Sequence, residues 1–316
     1  MREPFEPDAT QIANWVSVLG DDVGPLQQAA RRRLLGLGAR AVPPLRIGAE
    51  AAHLQTRTRC RRLLRDMELR SIVARFSELR LDGVGCASSS EDLEGVVSEG
   101  GVSEGGGLEG GMLEGAVLAA QIVRTFVPEP RQLAAQLRRE AAALRRDCAG
   151  RSLPVCARLL AERLHDRLGL QGCATEELDL DGVPADFRID HVLIDRAWSQ
   201  RTGAPIALSL IYLLVARWAG LSAAGVAMPD HFLVRLHGPR PLLLDPFHGG
   251  RIIPKADCAR YLRARGYERV RDHLRDLADR EVLIQYLRSL RRASAQRRVS
   301  VTCDTLGEAL DLLEAR

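Results

Sequence analysis

Residues 203–221, GAPIALSLIYLLVARWAGL, decide the fold, together with MPDHFLVRL at 228–236 and LLLDPFHGG at 242–250. The first stretch is apolar at nearly every position and carries Pro205 where proline is tolerated in a first helical turn. It therefore predicts a buried helix. The other two stretches predict strands, which HGPR at 237–240 joins into an antiparallel hairpin. A buried helix packed on a small antiparallel sheet predicts an α+β fold.

Two polar residues stand at matching positions in this predicted hairpin. His231 begins the first strand and Asp245 ends the second. Because an antiparallel hairpin brings the start of one strand beside the end of the next, we expect His231 and Asp245 to be neighbours. A histidine oriented by a carboxylate is the base half of a Cys-His-Asp triad. The alternative is a structural pair that anchors the hairpin.

The three motifs, in this order, resemble the transglutaminase-like superfamily and in particular its bacterial SirB-type branch. Members of that branch have a G-I-P-I-x-L-S helix, a P-G-H-F-L-V-R strand and a D-P-F-x-G-G strand end. The resemblance implies a papain-like core, with flanking helices at 113–170 and tetratricopeptide-like helices near the carboxyl end. The motif positions matched here are Gly203, Pro205, Pro229, Phe232, Pro246, Gly249 and Gly250.

Two positions depart from that pattern. In active members a cysteine begins the central helix, where the helix amino terminus lowers the thiol pKa. Here that position falls at Pro205 or Ile206, and neither side chain is a nucleophile. Absence of the cysteine is also usual in the SirB-type branch. The second departure is Asp230, where the family has glycine, so its carboxylate either raises the pKa of His231 or points to solvent.

Other nucleophiles are conceivable. Ser209 lies one turn further into the predicted helix and should be buried. Cys173 lies in the preceding loop, and Cys258 follows Asp245 near the start of a helix. Either thiol would have to fold back towards His231.

A metal site is a weaker alternative. Its ligands would be His231, His237, His248 and Asp245. His237 lies in the predicted turn, so strand geometry does not bring all four together. The sequence therefore predicts no metal and no cofactor.

The composition indicates the cellular compartment of the protein. The seven cysteines have no CxxC spacing, and an odd number in a chain of 316 residues fits reduced thiols in a cytosol. The start of the sequence lacks the apolar segment of a signal peptide, and no run of eighteen apolar residues predicts a membrane span. These features predict a cytoplasmic protein without membrane contact.

The stretch 31–80 is strongly basic, with thirteen arginines against four acids. Nucleic-acid binding would need an aromatic platform or a recognised motif, and neither accompanies the charge. Arginines on the solvated faces of helices explain the pattern better. Its spacing resembles a single HEAT-type helical repeat, with an ordinary helical hairpin as the alternative.

The chain is predicted to contain five segments. Glu-Gly recurs every five residues from 94 to 114, which fits no helix or strand period and predicts a flexible acidic insert. The segments are a HEAT-like helical region (1–82), the Gly/Glu-rich insert (83–113), a helical part of the SirB-type domain (114–172), the transglutaminase-like core (173–255) and the carboxy-terminal helices (256–316).

Two functions follow as hypotheses. The first is a non-catalytic module that binds a protein or peptide partner, because the nucleophile is missing and helical segments flank the core. The second is a hydrolase or acyltransferase that uses His231 and Asp245 with water or with an unplaced thiol.

Overall fold

The computed structural model describes residues 7–81, 111–125, 127, 130–173, 188–229, 231–296 and 300–315. The chain divides into two compact units, Met1–Ala74 and Arg75–Arg316. Most of the predicted acidic insert, 83–110, lies outside the described residues, as do Asp230 and residues 174–187. The last three residues assigned to that insert belong instead to a helix that begins at Gly111.

The first unit is helical in its described part. Its helices are α1 (Ala9–Val18), α2 (Gly24–Gly36), α3 (Val42–Gly48) and α4 (Leu54–Phe76), the last of which runs into the second unit. Leu34, Leu45 and Cys60 are fully buried in its core. The helices agree with the predicted helical region, while the HEAT-like character stays a prediction.

Arginines of this unit donate hydrogen bonds to backbone carbonyls just beyond the ends of its own helices. Arg59 donates to the carbonyls of Leu19 and Asp21, beyond the end of α1, and Arg61 donates to Ala49 beyond α3. Cations at carbonyl ends of helices satisfy orphan acceptors and complement the helix dipole. These contacts give the basic stretch a structural role.

The second unit surrounds one long, buried helix. Its helices are α5 (Gly111–Val123), α6 (Pro130–Cys148), α7 (Leu153–Ala161), α8 (Ile189–Val192), α9 (Ile194–Gln200), α10 (Pro205–Trp218), α11 (Lys255–Ala264), α12 (Asp279–Gln296) and α13 (Ser300–Glu314). Helix α10 is the central helix predicted from the sequence. Every residue from Ile206 to Ala216 is buried.

The main sheet has four antiparallel strands in sequence order. They are β3 (Ala223–Met228), β4 (His231–Leu236), β5 (Leu242–Asp245) and β6 (Arg251–Ile253). The predicted hairpin is β4 and β5, and β6 was not predicted. A separate parallel pair joins β1 (Gln171–Gly172) to β2 (Thr202–Gly203).

Helices cover both faces of the main sheet. Helix α10 packs on β3 and β4. Leu233 and Leu243 form a buried cluster with Cys258 and Leu262 of α11. Since side chains alternate along a strand, His231 shares the α11 face with Leu233. This agrees with the predicted transglutaminase-like core flanked by helices.

No helix in the described part of the chain is long and apolar enough to cross a membrane.

Candidate functional site

The start of α10 is closed by apolar groups. Ala204 is the N-cap and Pro205 is the first helical residue. Ile206 is buried, with 6% exposure. The structure therefore places no nucleophilic side chain at the position where active transglutaminase-like enzymes carry their cysteine.

Ser209 is occupied by a structural bond. Its side chain is fully buried, and its hydroxyl donates to the carbonyl oxygen of Phe232 at 2.6 Å. This bond ties α10 to the start of β4. A hydroxyl committed to a backbone carbonyl is poorly placed to attack a substrate.

Asp245 is the most constrained polar group of the site. Its side chain is 2% exposed, and Oδ1 accepts from the backbone N–H groups of Phe247 and His248 at 3.1 and 3.3 Å. Oδ2 accepts from Nδ1 of His248 at 2.6 Å. Three donors therefore satisfy a buried carboxylate, as burial of a charge requires.

The structure thus gives Asp245 a partner, His248, that was not predicted. In the register of β4 and β5, Val234 lies opposite Leu244, so the next pair is Leu233 with Asp245. His231 lies two residues further along. Asp245 also caps the short 3₁₀ turn Pro246–His248, which brings His248 onto the carboxylate from within the same turn.

The ring of His231 lies on the α11 side of the sheet. Tyr261 meets it edge-on at a centroid distance of 5.3 Å, and the His248 ring is 6.2 Å away. Asp230, whose effect on His231 was predicted, lies outside the described residues. His231 is therefore part of a ring cluster with Tyr261 and His248.

His248 is the imidazole that a carboxylate orients here. Its side chain is 44% exposed. Because an ionised carboxylate only accepts, Nδ1 carries the proton and a neutral ring keeps its lone pair on Nε2. The pair is therefore an imidazole base with a fixed tautomer that is open to solvent.

Neither candidate thiol is activated. Cys173 donates its backbone N–H to Gly203 at 3.1 Å, next to the start of α10, but its side chain is 3% exposed. Burial raises the pKa of Cys173 to about 11. Burial, together with Asp257 and Asp245, also raises the pKa of Cys258, which lies in the apolar cluster under the sheet. Both are neutral thiols at physiological pH.

The structure does not bring the four candidate metal ligands His231, His237, His248 and Asp245 together. His237 lies at the other end of β4, with Nε2 3.3 Å from Asp276. Within the described residues, no group of three or more His, Cys, Asp or Glu side chains could hold a metal ion.

Two glycines shape the turn after His248. Gly249 and Gly250 have φ values of +73° and +72°, in the left-handed region that favours glycine. A β-carbon on Gly250 would lie 2.8 Å from the ring of Tyr212, which is fully buried on α10. The glycine pair therefore allows the turn to pack closely against the central helix.

Sequence reasoning missed the pairing of His248, although a signal was present. Asp followed by Pro is a common N-cap and N1 combination. Asp245–Pro246 therefore predicts that the carboxylate caps its own turn, and His248 is the third residue of that turn. Tyr261 was missed because nothing local to α11 indicates contact with β4.

Comparison with known proteins agrees with the fold. A family profile described as transglutaminase-like superfamily matches residues 129–288, about half of the chain, which includes α10, the sheet and α11. The chain therefore belongs to the transglutaminase-like superfamily. No solved structure is similar enough to count as a match.

Two curated relatives come from Xylella fastidiosa and bear the name UPF0162 protein. The relative from strain 9a5c is 38% identical over 96 residues, which are 30% of this chain and 31% of the relative. The relative from strain Temecula1 is 38% identical over 82 residues, 26% of each chain. The chain thus matches less than a third of the length of either relative, and their printed names state no activity.

Proposed function

We propose that this member of the transglutaminase-like superfamily is a non-catalytic module that binds a protein or peptide partner. One observation carries the proposal: the carboxylate that would orient the family histidine, His231, is hydrogen-bonded to His248. The start of α10, with Pro205 and Ile206, supports it by offering no nucleophile. In this proposal the fold is kept, and the start of α10 holds Pro205 and Ile206 where active members carry a cysteine.

The order of the three sequence motifs supports placing the chain in the SirB-type branch, which we also propose. The six cysteines in the described part of the chain are all free thiols. Free thiols are typical of a reducing compartment, which supports a cytosolic setting.

The test is labelling with a broad thiol-reactive peptide probe. Wild type is compared with His231→Gln, His248→Gln and Cys173→Ser. We expect slow labelling in all four proteins, with no dependence on either histidine. Rapid labelling of one cysteine that falls at least tenfold in His231→Gln or His248→Gln would refute the non-catalytic proposal.

A second candidate is a hydrolase that activates water. The exposed base His248, oriented by Asp245, is the observation that favours it. Hydrolysis of p-nitrophenyl acetate should then fall at least tenfold in His248→Gln and be unchanged in His231→Gln. A rate no higher in wild type than in His248→Gln removes this candidate.

A further inference from the structure

The two edges of the main sheet differ. The outer edge of β3 is covered, because Leu277 donates its N–H to the carbonyl of Gly225 at 2.9 Å and forms an isolated bridge there. Strand β6 ends the sheet on the other side. In the described part of the chain, no backbone group outside β5 bonds to Arg251–Ile253. Within the described residues, the β3 edge therefore has a backbone partner and the β6 edge has none.

An open edge presents unpaired backbone donors and acceptors to solvent. Along an antiparallel edge strand, alternate residues turn their N–H and C=O groups outward. The side chains of β6 are accessible too, since Arg251 is exposed and Ile252 is 39% exposed, among the few large apolar side chains that are exposed in the described residues. These are the features that an added strand uses.

The charges at this edge select one kind of occupant. Arg251 on β6 and Lys255, two residues after the strand, are both exposed, and neither forms an ion pair within the described residues. Arg251 and Ile252 point to opposite faces of the sheet. A strand paired with β6 would therefore gain from an acidic side chain opposite Arg251 and an apolar one opposite Ile252.

We infer that β6 is the docking edge for an extended peptide in which acidic and apolar residues alternate. This rests on the proposed binding function and names its partner class. Strand β6 has three residues, so few backbone bonds form and the charge pairs carry much of the selectivity. Binding should therefore weaken as salt rises.

The probe is the acetylated, amidated peptide (Val-Glu)₃, with (Val-Lys)₃ as the charge-reversed control. We expect calorimetry of the full chain to detect (Val-Glu)₃, with (Val-Lys)₃ at least tenfold weaker. In ¹H–¹⁵N spectra the largest shifts should fall on the amides of Arg251–Ile253. Arg251→Glu should weaken binding at least tenfold, whereas Arg292→Glu, an exposed cation on α12, should change it less than twofold.

Three outcomes overturn the inference. If peptides from a displayed library bind but shift amides away from β6, the docking edge is wrong and the binding function stands. If the amides of 251–253 shift with protein concentration alone, the edge pairs with a second copy. If neither (Val-Glu)₃ nor any library peptide binds, the inference and the proposed function fail together.

Discussion

The start of α10 and the end of β5 are the positions where the resemblance implies the nucleophile and the orienting carboxylate, and they hold different kinds of group. The start of α10 is apolar, with Ile206 6% exposed and no reactive side chain. The turn after β5 keeps a buried carboxylate and an exposed imidazole bonded at 2.6 Å. The start of α10 therefore presents apolar groups, whereas the turn after β5 presents a hydrogen-bonded carboxylate and imidazole.

This difference separates two structural requirements: filling the core at the start of α10 and satisfying the buried oxygens of Asp245. Helix α10 must fill the core, and proline and isoleucine at its start serve that purpose. Asp245 must satisfy its buried oxygens, and three donors of its own turn bond to them. Both regions therefore have a structural role that does not depend on catalysis.

The largest effect should come from removing the carboxylate. Asp245→Ala leaves Nδ1 of His248 and two backbone N–H groups without their acceptor, which should lower the free energy of unfolding by about 3 kcal/mol. Asp257→Ala is the control, because that carboxylate pairs with Arg260 on the surface and should contribute less than about 1 kcal/mol. Urea denaturation measures both. Equal losses would mean that the Asp245 network does not hold the turn.

The next effect concerns the thiol beside the start of α10. With its pKa raised to about 11 by burial, Cys173 is protonated at pH 8, so iodoacetamide should alkylate it about a hundredfold more slowly than in the urea-unfolded protein. Because the native thiol holds its proton more tightly, its alkylation rate should still increase at pH 9. The rate should become constant only above about pH 11. Peptide mapping by mass spectrometry follows the residue. Fast labelling of native Cys173 at pH 8 would instead show that a reactive thiolate lies beside the start of α10.

A smaller effect on stability distinguishes backbone strain from packing at Gly250, in the turn after β5. Gly266, which follows α11, is the comparison. Gly266 has φ +82° with nothing within 4 Å of a β-carbon, so Gly266→Ala should cost only the strain, about 1 kcal/mol. Gly250→Ala adds a methyl group 2.8 Å from the Tyr212 ring and should cost about 1–2 kcal/mol more. Thermal or urea unfolding compares them. If the two substitutions cost the same, the turn is not packed against α10.

The sequence predicted the fold well because its signals are local. The apolar run 203–221 and the alternating strands of the hairpin agree with α10, β4 and β5. Strand β6 escaped prediction because three residues are too few for a period. The hydrogen bond between Asp245 and His248 was not predicted. A hairpin pattern indicates which residues lie near one another, but the strand register and the capping of the 3₁₀ turn by Asp245 determine which side chains bond.

The most direct test of the pairing between Asp245 and His248 is to measure the tautomer of each histidine. Long-range ¹H–¹⁵N spectra of ¹⁵N-histidine-labelled protein at pH 7.5 report it. Wild type is compared with Asp245→Asn, which preserves the side-chain shape. Asp245 orients His248 through Nδ1, so His248 should hold its proton on Nδ1 in wild type and lose that preference in Asp245→Asn, while His231 keeps its tautomer. A change at His231 with His248 unaffected would mean that Asp245 serves the family histidine after all.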